Sequence, residues 1–144
     1  VGADVVVPWA ASRSVAVWRG ERAAKSLAKW RNAAREAAKQ SRRAWFPEVT
    51  EMASTAEVVD LLGTAALSVV LHEAASSPLA ALEVPAQGDL VVVVGPEGGI
   101  TEDELAVFAA AGARPLRLGS SVLRTSTAGV AAAAALLSRT PRWH

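Results

Sequence analysis

Residues 90–101 read LVVVVGPEGGIT, an apolar run that passes into a glycine-rich bend. Continuous valine-rich runs are typical of strands covered on both faces of a parallel sheet. Thr101 and Glu104 then form a capping-box pattern, which predicts a helix ending near Ala111, with Gly112 placed to end it. The stretch therefore indicates a strand, a tight bend and a helix of an α/β fold.

The rest of the chain alternates between strand and helix patterns in the same way. The last helix is rich in alanine and leucine nearly all the way round, which predicts burial against the sheet, another subunit or both. The alternation favours one parallel sheet flanked by helices, in which ligands bind beyond the carboxyl ends of the strands. Periodicity predicts strands at Val5–Val7, Ala66–Leu71, Leu90–Val94 and Arg114–Leu118, and further helices at Glu21–Trp45, Ser54–Leu62 (closed by Gly63) and Thr125–Ser138.

Length and composition exclude several classes of protein. The chain has 144 residues, with 51% hydrophobic and 20% charged residues, which fits one packed domain and excludes disorder. There is no cysteine and only two histidines, so disulfides, thiolate catalysis and cysteine- or histidine-rich metal sites are excluded. The longest apolar run, residues 128–137, is about half of the roughly 20 residues that a membrane span needs. We expect a metal-free, cytoplasmic protein.

Charge is distributed unevenly along the sequence. Residues 1–47 carry ten lysines and arginines against three acidic residues, whereas the remainder is net acidic and the whole chain is +1. Such asymmetry indicates a surface that faces a polyanion. A solvated helix face that keeps the protein soluble explains the same pattern equally well.

The GPEGG bend at residues 95–99 is the first candidate ligand site. Glycine allows close approach of a ligand to the backbone, and the start of the following helix offers free N–H groups. The spacing matches neither phosphate-binding glycine motif, and Glu97 would place a carboxylate beside a phosphate. A ligand with hydroxyls, amines or a positive centre fits better, and a simple turn without a ligand is the alternative.

The second candidate is LGSSVLRTSTAG at residues 118–129, which again follows a predicted strand. Its hydroxyl side chains suit the start of the last helix, and each one alone is more often a cap than a catalyst. Arg124 is a fixed cation among neutral neighbours. Neither a nucleophile elbow nor a nearby histidine is present, so hydrolase chemistry is unfavoured.

These two motifs together resemble the ribosomal RNA small subunit methyltransferase E family of the SPOUT superfamily. The stretch from Gln40 to Pro47 resembles the family's Gln-x-x-Arg-x-x-x-Pro-Glu segment, and Pro8, residues 12–14 and Leu71-His72 match as well. The similarity covers nearly the whole chain. Two motifs at the right separation are far more specific than GPEGG alone.

The resemblance implies an S-adenosylmethionine-dependent enzyme that methylates N3 of a uridine in 16S ribosomal RNA of the small ribosomal subunit. It also implies that residues 1–144 form one SPOUT-type α/β domain with a trefoil knot at its C-terminal end, and that the protein is a homodimer. Three loops would wrap the cofactor, with its adenine held by main-chain groups and leucines. Arg124 is assigned to catalysis, where it would stabilise negative charge on the uracil oxygens. The implied cofactor-binding residues are Leu71, Gly95, Pro96, Glu97, Gly98, Gly99, Leu118, Gly119, Leu123, Thr125 and Thr127.

Residues at the basic end of the chain are the candidates for RNA contacts, because phosphate contacts dominate affinity and arginine can hold a phosphate through two hydrogen bonds. Trp30 and Trp45 can stack on bases, although tryptophans in an apolar helix stripe usually belong to the core. The candidate RNA-binding residues are Arg13, Gln40, Arg42 and Arg43.

The sequence also departs from the family pattern. Glycine is common in the family where Arg42 stands, and glutamate where Ser126 stands. The family's N-terminal PUA-like barrel and the first strand and helix of its catalytic domain have no counterpart, so we expect a catalytic fragment that methylates ribosomes poorly. An inactive RNA-binding module and a knot-free nucleotide-binding domain remain alternatives.

Overall fold

The computed structural model describes residues 1–144 and contains parallel strands with helices packed against them. The α/β class predicted from the sequence is confirmed. Short 3₁₀ helices at Leu79–Ala81 and Pro141–Trp143 were not predicted. The strands are β1 Val5–Val6, β2 Glu48–Val49, β3 Leu67–Leu71, β4 Leu90–Val93 and β5 Arg114–Leu116, and the helices are α1 Glu21–Gln40, α2 Thr55–Thr64, α3 Glu102–Ala110 and α4 Thr125–Leu137.

The strands form two sheets rather than the single one predicted. The larger sheet has the order β4-β3-β5 and the smaller pairs β1 with β2, and all pairs are parallel. The missed strand, β2, has only two residues and follows Pro47, so it is too short to give a period. Because the three strands of the larger sheet are parallel, the loops that follow them start from the same edge.

Two helix starts follow the predicted capping boxes. Ser54 accepts the Glu57 N–H and Thr101 accepts the Glu104 N–H, and each glutamate accepts the N–H of its cap residue in return. Gly63, predicted to close α2, instead lies inside it. Local side-chain chemistry therefore fixes these starts, whereas α2 continues one residue past the glycine, to Thr64.

Helix α1 ends at Gln40, five residues before the predicted end at Trp45. Arg42 adopts φ of 56°, and its N–H donates to the Lys39 carbonyl at 3.0 Å. The Arg43 N–H donates to the Ala38 carbonyl at 2.9 Å, which completes a Schellman motif. Arg42 thus occupies the left-handed position that glycine normally takes.

Replacing Arg42 with glycine is expected to raise the free energy of unfolding by roughly 1 kcal/mol, because a non-glycine residue in the left-handed region costs about 1–2 kcal/mol. Urea denaturation measures the change. Lys29→Gly, an exposed position within α1, is the control and should lower stability by about 1 kcal/mol. Equal losses for both variants would contradict the assignment of Arg42.

The core lies on both faces of the larger sheet. Phe108 is fully buried on one face, where Trp9 meets it edge-on at 5.1 Å between ring centroids. On the other face α4 buries Ala132 and Leu136, but Val130 on its outer side remains 54% exposed. The last helix is therefore buried against the sheet on one side, as one of the predicted alternatives has it, and its other side is exposed in the single chain.

Candidate functional site

The loops after β3, β4 and β5 line one cavity of about 740 Å³. Its volume falls within the range of small-molecule sites, roughly 300–1,000 Å³. The GPEGG bend and the segment after β5 both contribute, so the two motifs converge although they are distant in sequence. The predicted residues in the lining are Leu71, Gly95, Pro96, Glu97, Gly98, Gly99, Leu118, Gly119, Leu123, Arg124, Thr125 and Arg13.

Some cavity residues were not singled out as ligand contacts by the sequence. His72 and Glu73 directly follow β3, and neither was among the predicted ligand contacts. Their position at a strand end could have found both, and the family match at Leu71-His72 was a second signal for His72. The further lining residues are His72, Glu73, Val94, Ile100, Arg117, Ser120, Ser121, Val122, Ser126 and Ala128.

The GPEGG bend packs directly against the segment after β1. A Cβ atom at Gly98 would lie 2.9 Å from both the Cβ and the carbonyl oxygen of Arg13. The Arg13 guanidinium donates from Nη1 to the Gly98 carbonyl at 3.3 Å. Only glycine allows this approach, which brings Arg13, assigned to RNA, into the wall of the cavity.

Glu104 joins the segment after β1 to the residues that follow the GPEGG bend. Its Oε1 accepts the Ser12 N–H at 2.7 Å and its Oε2 accepts the Thr101 N–H at 2.9 Å. Burial raises the pKa of Glu104, but the hydrogen bonds from Ser12 and Thr101 lower it more, so the pKa lies below its ordinary value of 4.5. The ionised carboxylate is therefore part of the folded site. The capping-box pattern in the sequence predicted the contact with Thr101, but nothing in the sequence predicted the contact with Ser12.

Glu104→Gln is expected to lower the free energy of unfolding by about 2 kcal/mol at neutral pH, because glutamine has one acceptor oxygen for two buried donors. The lowered pKa means that the carboxylate stabilises the fold above about pH 4.5, and that this contribution is lost as pH falls through the folded-state pKa. Denaturation curves at several pH values should therefore show a flatter acid dependence for Glu104→Gln than for the wild type.

Glu57→Gln is the matched control, since Glu57 belongs to the exposed capping box of α2 and accepts only the Ser54 N–H, at 3.2 Å. We expect its loss to stay below about 1 kcal/mol. Equal losses for the two variants would show that the Ser12 contact contributes nothing.

The segment from Leu118 to Leu123 lines the cavity with free backbone groups. None of its six N–H groups and none of its six carbonyl groups has a hydrogen-bond partner within the protein. Backbone groups without internal partners bind water or a ligand. These donors and acceptors are therefore available to a ligand, and a nucleoside needs both kinds of group.

The loop after β3 is fixed against the end of β5. The Arg117 guanidinium donates to the Ala75 carbonyl at 3.2 Å, and the Arg117 N–H donates to the Ser77 carbonyl at 3.0 Å. The Leu79 N–H returns a bond to the Arg117 carbonyl at 2.8 Å. Arg117 therefore holds two of the three loops in position.

Arg124 directly follows this segment and precedes the first residue of α4. It is the N-cap residue, and its guanidinium has no acceptor within the protein. Thr125 also lines the cavity, but Thr127 lies within the first turn of α4 and is not part of the lining. The assignment of Thr127 to the cofactor remains a prediction.

The other RNA candidates lie outside the cavity, at the end of α1. Gln40 and Arg42 are exposed. Arg43 is committed to the protein, because its guanidinium donates to the Ala3 carbonyl and pairs with Asp4 at 3.2 Å. Hydrogen bonds from Arg142, with the charges of Arg142 and Arg43, hold the pKa of Asp4 below 3.8 despite partial burial.

Sequence comparison decides the family. A family model described as an RNA methyltransferase domain matches residues 1–137. The chain belongs to the RNA methyltransferase family. Proteins from Mycobacterium bovis and Mycobacterium tuberculosis, both named ribosomal RNA small subunit methyltransferase E, are 45% identical to this RNA methyltransferase domain over 146 residues, or 99% of the chain and 56% of each relative. The predicted resemblance is confirmed, and the chain spans about half the length of the curated relatives it matches.

Solved structures agree with this RNA methyltransferase assignment. A methyltransferase from Legionella pneumophila in complex with S-adenosylmethionine superposes with a TM-score of 0.86 at 29% identity, covering 93% of this chain and 55% of that one. A ribosomal RNA small subunit methyltransferase E from Neisseria gonorrhoeae, bound to S-adenosyl methionine, gives 0.82 at 31% identity, covering 95% and 55%.

Two further structural findings concern other kinds of site in this RNA methyltransferase domain. None of its helices has both the length and the apolar character of a membrane span. No three histidine, aspartate or glutamate side chains are grouped closely enough to hold a metal ion.

Proposed function

We propose that the protein is an S-adenosylmethionine-dependent methyltransferase that modifies N3 of a uridine in 16S ribosomal RNA of the small ribosomal subunit. The observation that carries this proposal is the convergence of the GPEGG bend and the unpaired Leu118–Leu123 backbone on one cavity. Family membership and the cofactor bound to the solved neighbours support the same reaction. A ribosomal substrate would place the protein in the cytoplasm.

The chemistry of the cavity fits S-adenosylmethionine. Leu71, Leu118 and Leu123 supply apolar surface for an adenine ring, while free backbone groups between the last two suit its nitrogens and the ribose hydroxyls. Glu97 and Glu73 offer negative charge for an amino group or a sulfonium centre. The cofactor supplies, when bound, an electrophilic methyl group.

The chain's own part in the reaction is to position the uracil and stabilise its charge. N3 must lose its proton and approach the methyl carbon in line, and holding that geometry supplies much of the rate. Arg124 would stabilise the negative charge that develops on the uracil oxygens, since its guanidinium has no competing acceptor within the protein. No side chain is assigned as the base.

We extend the proposal to the fold, the dimer and the RNA contacts of the domain. We place residues 1–144 in one SPOUT domain, with the three cavity loops joined through a C-terminal trefoil knot. The exposed outer side of α4, including Val130, suits a homodimer contact. Arg13, Gln40, Arg42 and Arg43 remain the proposed RNA contacts, with Arg43 the least available because Asp4 and Ala3 hold it.

Isothermal titration with S-adenosylmethionine tests the proposal first, with ATP and NAD as comparison ligands. We expect saturable binding of S-adenosylmethionine alone, and slow formation of N3-methyluridine in small-subunit RNA detected by mass spectrometry, because a chain that spans about half of its relatives is expected to methylate ribosomes poorly. Absence of cofactor binding would favour an RNA-binding module without catalysis. Preferential binding of ATP or NAD would favour a nucleotide-binding domain.

A further inference from the structure

An exposed aromatic surface lies beyond the end of α1, away from the cavity. Trp45 is 80% exposed and Phe46 is 54% exposed. The expectation that Trp45 belongs to the core is wrong, because α1 ends before it. We call the group formed by Arg35, Arg42, Trp45 and Phe46 the aromatic surface.

The backbone under the aromatic surface is fixed at both ends. On one side the Schellman motif at Arg42 ends α1, and Arg43 is bound to Asp4. On the other side the chain enters β2 at Glu48, which pairs with Val5. Two large apolar rings are thus held in solvent on an ordered turn, which loses little conformational entropy when a ligand binds.

Positively charged side chains surround these rings, as the binding of a polyanion requires. The Arg35 guanidinium lies over the Phe46 ring, 5.8 Å from its centroid. Arg35 and Arg42 have no carboxylate partner, whereas Lys39 pairs with Glu36. A second copy of the chain docked here would bring like charges together. Glu36 is adjacent to Arg35 in the sequence but pairs with Lys39, so Glu48 is the one other nearby acidic residue along the sequence and the surface is net positive.

We propose that the aromatic surface binds unpaired RNA, with a base stacked on Trp45 and a phosphate held by Arg35 and Arg42. Exposed aromatic rings beside arginines are the usual platform for single-stranded RNA, because bases in a duplex have both faces covered. This inference rests on the proposed function and extends it by naming the state of the RNA around the target.

The aromatic surface would bind RNA at a distance from the methyl-transfer site. It precedes β2, whereas Arg13 and the cavity follow the other end of the parallel strand β1. Glu48 pairs with Val5, whereas Ala53 pairs with Trp9 further along both segments, so the two chains run in parallel from the aromatic surface towards the cavity. The stacked base is therefore a flanking nucleotide and not the methylated one.

Fluorescence anisotropy with a labelled oligouridylate, and with a duplex RNA of the same length, tests the proposal at several salt concentrations. Trp45→Ala should weaken binding of the single strand about tenfold or more and leave duplex binding unchanged. Its salt dependence should keep the wild-type slope, because stacking releases no counterions. Arg35→Gln should reduce that slope by about 0.7, the value for one phosphate contact.

Trp143→Ala is the matched control, because Trp143 is also exposed, at 46%, but packs beside Gly2 and is not part of the aromatic surface. It should bind the oligouridylate as the wild type does. Wild-type affinity in Trp45→Ala, equal losses for single strand and duplex, or no binding of the oligouridylate by the wild type would overturn the proposal. A change of oligomeric mass in Trp45→Ala would identify a protein interface instead. Titration with S-adenosylmethionine reports separately on the proposed function.

Discussion

Replacing Arg124 with alanine is expected to lower the rate of methyl transfer by about 10²-fold or more, while the affinity for S-adenosylmethionine stays close to that of the wild type. Removing one donor aimed at developing negative charge has effects of this size in other enzymes. The reason here is that Arg124 lines the cavity and has no acceptor within the protein, so its charge is available to the substrate. Transfer of a labelled methyl group to small ribosomal subunits measures the rate.

Two further variants sharpen this experiment. Arg124→Lys keeps the charge but loses the planar donor pair, so we expect only partial recovery of the rate. Arg114→Ala removes an exposed arginine at the amino end of β5, on the opposite edge of the sheet, and should leave transfer unchanged. Wild-type turnover in Arg124→Ala, or a parallel loss of cofactor affinity and rate, would remove Arg124 from the chemical step.

Gly98→Ala is the second variant with a large expected effect. The added methyl group would stand 2.9 Å from the carbonyl oxygen of Arg13, so a backbone segment would have to move. Such overpacking costs about 1–3 kcal/mol of stability. Displacing the GPEGG bend should also weaken S-adenosylmethionine binding tenfold or more, as measured by titration calorimetry.

Gly63→Ala is the control for Gly98→Ala, because it makes the same chemical change where a Cβ meets no atom within 4 Å. Gly63 lies inside α2, so alanine should raise stability by about 0.5–1 kcal/mol and leave cofactor binding unchanged. If Gly98→Ala retained wild-type stability and affinity, the contact between the bend and Arg13 would have no part in the site.

Local chemistry in the sequence was enough to place several elements. The capping boxes at Ser54 and Thr101 put the starts of α2 and α3 where the structure has them, since all their hydrogen bonds span three residues. Gly112, with φ of 98°, follows α3 as predicted. The end of α1 was missed because Arg42 adopts a left-handed backbone conformation, which an arginine in the sequence does not predict.

Contacts between distant segments could not be predicted in the same way. The bonds from Arg13 to Gly98 and from Ser12 to Glu104 join residues 85 and 92 positions apart, and no local pattern encodes them. The convergence of two motifs was predictable because loops that follow parallel strands leave from one edge. Which side chains then line the cavity depends on loop packing, as Thr127 and His72 illustrate.

Amide hydrogen exchange, with and without saturating S-adenosylhomocysteine, tests most directly whether the two motifs form one cofactor site. The N–H groups of residues 118–123 have no partner within the protein and should exchange rapidly in the free state. We predict that the ligand slows exchange in residues 95–99 and 118–123 over the same concentration range. Protection of one segment alone, or of neither, would contradict a shared site.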